Sequence, residues 1–456
     1  MEIPARTGEK KDKNDESKLK WWQLSLIGVG CTIGTGYFLG SGIGILKTGP
    51  SFMIAFILAG ITAMIVSEAL GKMFIQDPQK GSFRTYAKKA YGRWAGFSSG
   101  WVYWFSEMLI SGSQLTALSI LTRFWFPNVP LWVLASIYAA LGIIVILIGT
   151  KGFERAENLF AVMKVAAIFM FIVLAVLVLF GFFGGSIKDF NLPNTTNDFF
   201  AKGMIGLWSS LIFGFYAFGG IEIMGILSMR LQHKKEVTKS TTVMLIMLTA
   251  IYLISILLAA GLVAYDQFNS KESPFVIALA EYNLAFFPHV FNAGIIIAGF
   301  STMAASLFAV TSMLVTMAEE GDAPKLFTKK SKLKVPPFAL ALTISVLVIS
   351  IIISRLVPDR VYEYITTAAG LMLIYNWFFI LISFPKLIKA TKFDHIKRIF
   401  AMLLILLAIS GTILDKTNRM GFFVSILFMA IVIIVILFMR KGNKKNKKKN
   451  ELPRGI

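Results

Sequence analysis

One cysteine, Cys31, stands among 456 residues, which excludes an intrachain disulfide and any cysteine-built metal site. Histidine is almost as scarce. His233, His289 and His395 fall in three separate segments, so no metal-ligand spacing for catalysis is present, and no cofactor or metal is expected. Charged residues make up only 16% of the chain, against roughly 25% in ordinary soluble domains, and acids are the scarcer sign, 25 against 46 Lys and Arg. No connecting segment is long enough to be a domain; the largest are 184–202 and 265–288. A cleavable signal is not expected either, because a polar arm, 1–20, precedes an apolar stretch that is one of many. What fills the chain instead is hydrocarbon: 56% of residues are hydrophobic and the mean hydropathy is +0.70. A soluble core is thereby excluded.

Twelve windows hold about 20 mostly apolar residues each, the length a helix needs to cross roughly 30 Å of hydrocarbon at ~1.5 Å per residue. They are 23–46, 51–75, 94–124, 131–149, 158–183, 203–229, 242–264, 290–318, 338–354, 361–384, 399–414 and 420–439. A net charge of +21 would suggest nucleic acid in a soluble protein, so the location of the basic residues decides its meaning. The N-terminal arm, the segments after the even-numbered windows and the C-terminal tail hold 35 of the 46 Lys and Arg residues; the other segments, with Arg123 at the end of the third window, hold 9, and Lys72 and Lys164 lie inside windows. Cytoplasmic segments accumulate basic residues. Both termini are therefore expected in the cytoplasm, with an even number of crossings of the cell membrane. The lysine-rich stretch 440–449 reads as a topology anchor for anionic lipid headgroups, not as a nucleic-acid surface. In segment 79–91, Phe83, Tyr86, Ala87 and Ala90 alternate with Arg84, Lys88 and Lys89 at helical spacing, which predicts an amphipathic helix on the inner leaflet.

Two windows differ from the rest. The first reads GVGCTIGTGYFLGSGIG over 28–44, and the sixth reads FGFYAFGGIE over 213–222 with Gly219 and Gly220 adjacent. Glycine costs about 1 kcal/mol against alanine inside a helix, so such density predicts unwound or closely packed backbone. The steps Gly30 to Gly34 and Gly36 to Gly40 fit tight helix packing equally well. The two windows sit five apart, and an odd number of crossings turns the second copy of a five-span unit upside down. The expected architecture is all-α: twelve transmembrane helices, a five-plus-five inverted repeat with helices 1 and 6 broken, and two further helices. The divisions are 1–20 (cytoplasmic arm), 21–183 (first repeat), 203–384 (second repeat), 399–439 (last two spans) and 440–456 (basic tail). Interrupted helices at matching places in inverted repeats are the best sequence pointer to a transporter's binding site.

An unwound stretch near the bilayer midplane frees N–H groups at the start of the second half-helix, where the helix dipole is positive and a carboxylate binds. Thr32, Ile33, Gly34, Thr35 and Gly36 supply those donors, with the Thr35 hydroxyl as one more. In the sixth window the carbonyls of Tyr216, Ala217 and Gly219, around Phe218, suit an ammonium. Together these groups clamp both ends of an α-amino acid. Lys164 lies roughly 10 Å inside the fifth window at helical rise, where a buried ammonium is expensive and marks function by default; a stem snorkelling to the interface or a pairing with Glu157 is the structural alternative. Glu222, just beyond the second break, suits a gating or proton role or a backbone cap. Glu68 and Lys72 are spaced i,i+4 for an ion pair.

The chain resembles the amino acid permeases of the amino acid-polyamine-organocation superfamily, in particular the bacterial amino acid transporter branch. The resemblance rests on GVGCTIGTGYFLGSG (28–42), SEALGKM (67–73) continuing through 79–104, GFERAENLFAVMKV (152–165) and FYAFGGIE (215–222). It implies a substrate site between broken spans 1 and 6, alternating access, Ile33, Thr35 and Gly36 facing the carboxylate, and Tyr216, Ala217 and Gly219 facing the amine. It further implies that Lys164 takes the place sodium occupies in sodium-coupled relatives of the fold, so that a proton is the coupling ion. Gln114 stands where this branch commonly has an acid, and Glu107 appears two turns earlier; Glu107, Ser113 and Gln114 are candidate pocket residues, with Thr116 beside them.

The expected activity is secondary active import of a neutral amino acid, with an aliphatic side chain favoured, by proton symport, with amino acid, protons and membrane lipids as partners. An exchanger or uniporter preserves every feature read above. A membrane-embedded enzyme needs convergent acid, base or metal groups that the sequence does not offer. An amino acid sensor on the same fold calls for an added signalling domain, and a channel for a ring of charges or a filter repeat.

Overall fold

The computed structural model describes residues 19–79, 81–148, 150–183, 193, 195–280, 282, 284, 286–329, 335–357 and 360–451. Expectations for the N-terminal arm before Leu19 and for most of the 184–194 connection lie outside the described residues, as do the side chains of Glu157 and of the basic tail. All regular elements in the described residues are helical, apart from one isolated bridge between Leu19 and Leu231. In chain order they are α1 (Trp21–Thr32), α2 (Thr35–Phe38), α3 (Gly40–Thr48), α4 (Phe52–Gln76), α5 (Ser82–Tyr91), α6 (Arg93–Thr122), α7 (Leu131–Ile148), α8 (Thr150–Leu179) and α9 (Thr196–Phe199). The second half continues with α10 (Gly203–Ala217), α11 (Ile223–Leu227), α12 (Val237–Leu262), α13 (Pro274–Leu279), α14 (Phe287–Glu319), α15 (Pro337–Leu356), α16 (Val361–Leu387), α17 (Lys392–Leu414) and α18 (Lys416–Glu451).

Ten helical stretches among the described residues are long and apolar enough to cross a membrane. One of them, Thr35–Gln76, turns back on itself at Gly49, whose φ of 77° only glycine adopts without strain. α6 is 30 residues long, about 45 Å at helical rise, yet falls outside the ten. Its sequence explains why: it carries Arg93, Glu107, Gln114 and many serines and glycines. A helix this polar must be covered by protein, and α6 packs chiefly on α14 and α16. The apolar residues left exposed, such as Ile137, Ile144, Phe169, Val173, Leu403 and Leu427, lie on α7, α8, α17 and α18, the outer helices that meet hydrocarbon.

Helix ends meet in two sets, one at each face. On the face carrying Leu19, the basic face, Leu19 donates its N–H to Arg230 O at 2.7 Å and Gln232 donates its N–H to Leu19 O at 2.9 Å. On the same face Lys72 pairs with Glu68 at 2.8 Å, the i,i+4 pair expected, and also with Asp394 of α17 at 2.6 Å. α5 forms where the 79–91 pattern predicts a helix, but its apolar side faces protein: Phe83, Tyr86 and Ala87 are buried, and α6 and α16 cover the helix. Arg84 is 1% exposed. Its guanidinium is held by Asp322 at 2.5 Å and Glu320 at 2.9 Å, just past the end of α14, so the buried charge is paired with two carboxylates. On the opposite face Lys47 at the end of α3 joins Glu363 of α16 at 3.3 Å and Asp415 at 3.0 Å, and Trp125 Nε1 donates to His289 Nδ1 at 2.9 Å.

Candidate functional site

The first glycine-rich run is interrupted where two successive residues leave helical geometry. Ile33 (φ −68°, ψ 114°) and Gly34 (φ −148°, ψ −169°) are extended, and the helix restarts at Thr35. The second interruption spans Phe218 to Glu222, with Gly220 at φ 102°. The two breaks touch. A Cβ added at Gly36 would lie 2.7 Å from Tyr216 Cδ1, and one added at Gly220 would lie 3.6 Å from Cys31 O. Glycine is needed at Gly36 because the Tyr216 ring already fills the space, and at Gly220 because a side chain would strain its positive φ.

The donors expected at the first break are only partly free. Ile33 N–H stays bonded to Val29 O at 3.1 Å and the Thr32 hydroxyl donates to Gly28 O at 2.9 Å, so α1 holds both residues and the donor set contracts to the start of α2. There the Thr35 amide and hydroxyl both donate to Gln114 Oε1, at 3.3 and 2.5 Å. Gln114 of α6 therefore presents a carbonyl oxygen to the donors that suit a carboxylate oxygen. On the second break, Tyr216 O accepts from Gly219 N–H at 3.0 Å, and Ala217 O accepts from the Tyr252 hydroxyl at 3.1 Å. Each carbonyl keeps a second lone pair for an incoming donor. Ser113 and the Tyr216 hydroxyl form a short hydrogen bond across α6 and α10, while Thr116 turns back to Gly112 O in its own helix. Ile110, Tyr216 and Ala369 form a small apolar cluster apart from the main core.

Lys164 is fully buried at 0% exposure. α8 already begins at Thr150, and the ammonium points inward, donating to Gly30 O at 3.0 Å and Thr302 Oγ1 at 3.3 Å. The Thr302 hydroxyl also bonds Ala298 O at 3.0 Å and Ile33 O at 3.3 Å. A cation thus sits against the last turn of α1 and the break itself, where helix C-terminal carbonyls attract positive charge. Its stem does not snorkel to a face. Glu222 (0% exposed) directs Oε2 to Trp377 Nε1 at 3.3 Å. Glu107 (2% exposed) faces Ser306; it lies two turns from Gln114, the residue that holds the Thr35 donors.

Three residues that sequence reading did not single out complete the arrangement. Thr302 bridges Lys164 and the first break, Tyr252 holds the second, and Tyr362 of α16 donates its hydroxyl to Thr35 O at 3.0 Å. Tyr362 also lines a cavity of about 370 Å³ that includes Leu121, Arg123, Asn292, Lys271 and Glu363. This cavity reaches inward from the face opposite Leu19 and has Tyr362 between it and the break. No local pattern announces these partners, because each reaches the break from a distant helix.

The sequence profile of the family described as amino acid permease matches residues 23–453. Among curated proteins, the chain is 54% identical over 438 residues to "Uncharacterized transporter YcgH" of Bacillus subtilis, covering 95% of this chain and 98% of that one. It is 32% identical over 378 residues to "Aromatic amino acid transport protein AroP" of Corynebacterium glutamicum, covering 81% of each. It is 28% identical over 420 residues to the protein of that name from Escherichia coli K12, covering 92% of this chain and 89% of the relative.

Proposed function

The chain belongs to the amino acid permease family and is a multi-pass membrane protein, and from that premise we propose that it imports a neutral amino acid across the cell membrane by proton symport. The fold is read as twelve crossings, a five-plus-five inverted repeat over 21–183 and 203–384 followed by the spans of 399–439, with both termini cytoplasmic and the basic face inward. The observation that carries this reading is the meeting of the two breaks, Gly36 against Tyr216 and Gly220 against Cys31, beside a buried ammonium on Gly30 O.

The Thr35 amide and hydroxyl, with Gly34 and Gly36, receive the substrate carboxylate, which displaces Gln114 Oε1; the carbonyls of Tyr216, Ala217 and Gly219 receive the amine. The side chain then points at Ile110, Tyr216 and Ala369. The apolar lining of Ile110, Tyr216 and Ala369 favours a neutral side chain, and two relatives are named for aromatic amino acids, which extends the reading from aliphatic to aromatic substrates. Lys164 and Glu222 couple substrate movement to the proton gradient.

Uptake of a panel of radiolabelled amino acids into proteoliposomes, with and without an inward proton gradient, tests this for the native protein and Lys164→Ala. Gradient-driven accumulation of neutral amino acids, lost in Lys164→Ala, is expected. Gradient-insensitive transport would leave an exchanger or uniporter, and no transport of any amino acid would overturn the reading.

A further inference from the structure

Between α6, the turn that follows α14 and the last helix α18 lies an apolar crevice of about 330 Å³. Phe97, Trp101 and Phe105 form one wall; they are spaced four residues apart and so share one side of α6. Ile431, Val432 and Val435 of α18 form the other wall, and the turn from Gly321 to Pro324 lines the end at the basic face. From Phe97 to Phe105 the crevice runs about 12 Å at helical rise, and at its inner end the rings of Phe105 and Phe428 meet with centroids 4.4 Å apart. Val432 is covered, but Ile431 and Val435 are each 40% exposed, so the crevice opens past α18 onto the hydrocarbon.

The polar groups at this wall are bonded to one another. Trp101 Nε1 donates to Asp322 O at 3.1 Å, Arg84 and Arg93 hold the Asp322 carboxylate at 2.5 and 3.0 Å, and Arg93 Nη2 donates to Gly321 O at 2.6 Å. Water in a cavity needs about two to four polar partners, so an aromatic and aliphatic space of this kind takes hydrocarbon instead. Charge decides which hydrocarbon. Past Val435, α18 runs on into 440–449, where seven of ten residues are Lys or Arg, the first of them about 7.5 Å further along the helix. A polybasic stretch at a membrane surface draws anionic headgroups. A second copy of this chain seated symmetrically on the same face would bring its own basic stretch against the first, and like charges oppose that contact.

We propose that the crevice between α6 and α18 binds one anionic phospholipid from the leaflet at the basic face. One acyl chain lies along Phe97, Trp101 and Phe105, and the headgroup sits at the basic end of α18. The apolar walls hold the chain whatever its headgroup; the charge beyond Val435 selects the anionic one. The lipid then fills the space between an outer helix and α6, the helix whose Gln114 holds the Thr35 donors.

The test reads lipid contact directly and needs no transport. The full chain is reconstituted into phosphatidylcholine vesicles containing a minor, equal share of either brominated phosphatidylglycerol or brominated phosphatidylcholine, bromine being a contact quencher of indole emission. The emission of the native protein minus that of Trp101→Phe isolates Trp101 among the nine tryptophans. Loss of the Trp101 emission with the brominated phosphatidylglycerol, its retention with the brominated phosphatidylcholine, and its recovery on adding unlabelled phosphatidylglycerol are expected. Equal quenching by both lipids would overturn the selection of an anionic headgroup. Quenching by neither would overturn the lipid site, and a crosslinked dimer in the same vesicles would then name a second copy as the occupant. Should Trp101→Phe not fold, native mass spectrometry of the native protein decides: one phosphatidylglycerol kept per chain, with phosphatidylcholine released, is expected, and no retained phosphatidylglycerol overturns the site.

Discussion

Replacing Gly36 by alanine tests the contact between the two breaks directly. The new Cβ would stand 2.7 Å from Tyr216 Cδ1 and 2.8 Å from Cε1. Carbon atoms settle at about 3.5 Å or beyond, so the ring must retreat by roughly 0.8 Å. It cannot do so freely, since its hydroxyl is bonded to Ser113 and its backbone lies in the last turn of α10, just before the second break. Overpacking of this kind costs about 1–3 kcal/mol. Because Tyr216 forms a wall of the proposed substrate site, most of that cost should appear as weaker binding, roughly a 5- to 150-fold rise in KM. Gly40→Ala is the control: it lies in the same run, and its Cβ would meet only the Tyr362 hydroxyl at 3.7 Å, so its KM should stay near the native value. Concentration-dependent counterflow in proteoliposomes measures both. A Gly36→Ala protein with native KM, or a Gly40→Ala protein impaired equally, would refute the argument that the breaks meet at the substrate.

Further predictions concern the framework around the site. Arg84→Ala leaves Asp322, 0% exposed, without one of its cations and should cost about 3–5 kcal/mol, read as a lower Tm in detergent; Arg84→Lys should recover only part, since one ammonium cannot fork to both Asp322 and Glu320. Burial pushes the Glu320 carboxyl up, but Arg84 and Lys88 outweigh it and hold the group below the usual carboxylate range. Its stabilisation is therefore complete above that range and is lost as pH falls through the lowered value, so between about pH 6 and about pH 3 the native Tm should fall more steeply than that of Glu320→Gln. Gly411→Ala would drive a Cβ to 2.2 Å from Trp208 O, a backbone atom that cannot yield while Trp208 Nε1 donates to Leu407 O at 2.7 Å. The yield of monodisperse protein should collapse.

Long apolar runs and glycine density made the helical plan and both interruptions legible from the residues alone, because each is a local property. Ile33 and Gly34 lie inside the stretch expected to unwind, and Gly220 is one of the adjacent glycines. The use made of the freed groups was less legible. Keeping Ile33 N–H in α1 is a matter of one residue at a helix end, which composition does not resolve. The partners Tyr252, Thr302 and Tyr362 come from helices remote in sequence, and no spacing rule reaches across them. The 79–91 segment shows the same limit from the other side. Its periodicity gives the helix, but whether the apolar face meets lipid or protein depends on α6 and α16, and on the carboxylates of Glu320 and Asp322 that draw Arg84 inward.

The two hydrogen bonds between Leu19 and the Arg230–Gln232 segment use main-chain atoms alone. They join the chain just before α1 to the chain just after α11, the basic-face halves of both broken spans. Such a yoke makes the two half-helices one lever: neither can tilt without dragging the other or snapping the strap. Side chains at Leu19, Arg230 and Gln232 can drift without loosening it, so a mutational scan read through side chains alone would pass over the part that keeps the two arms in step.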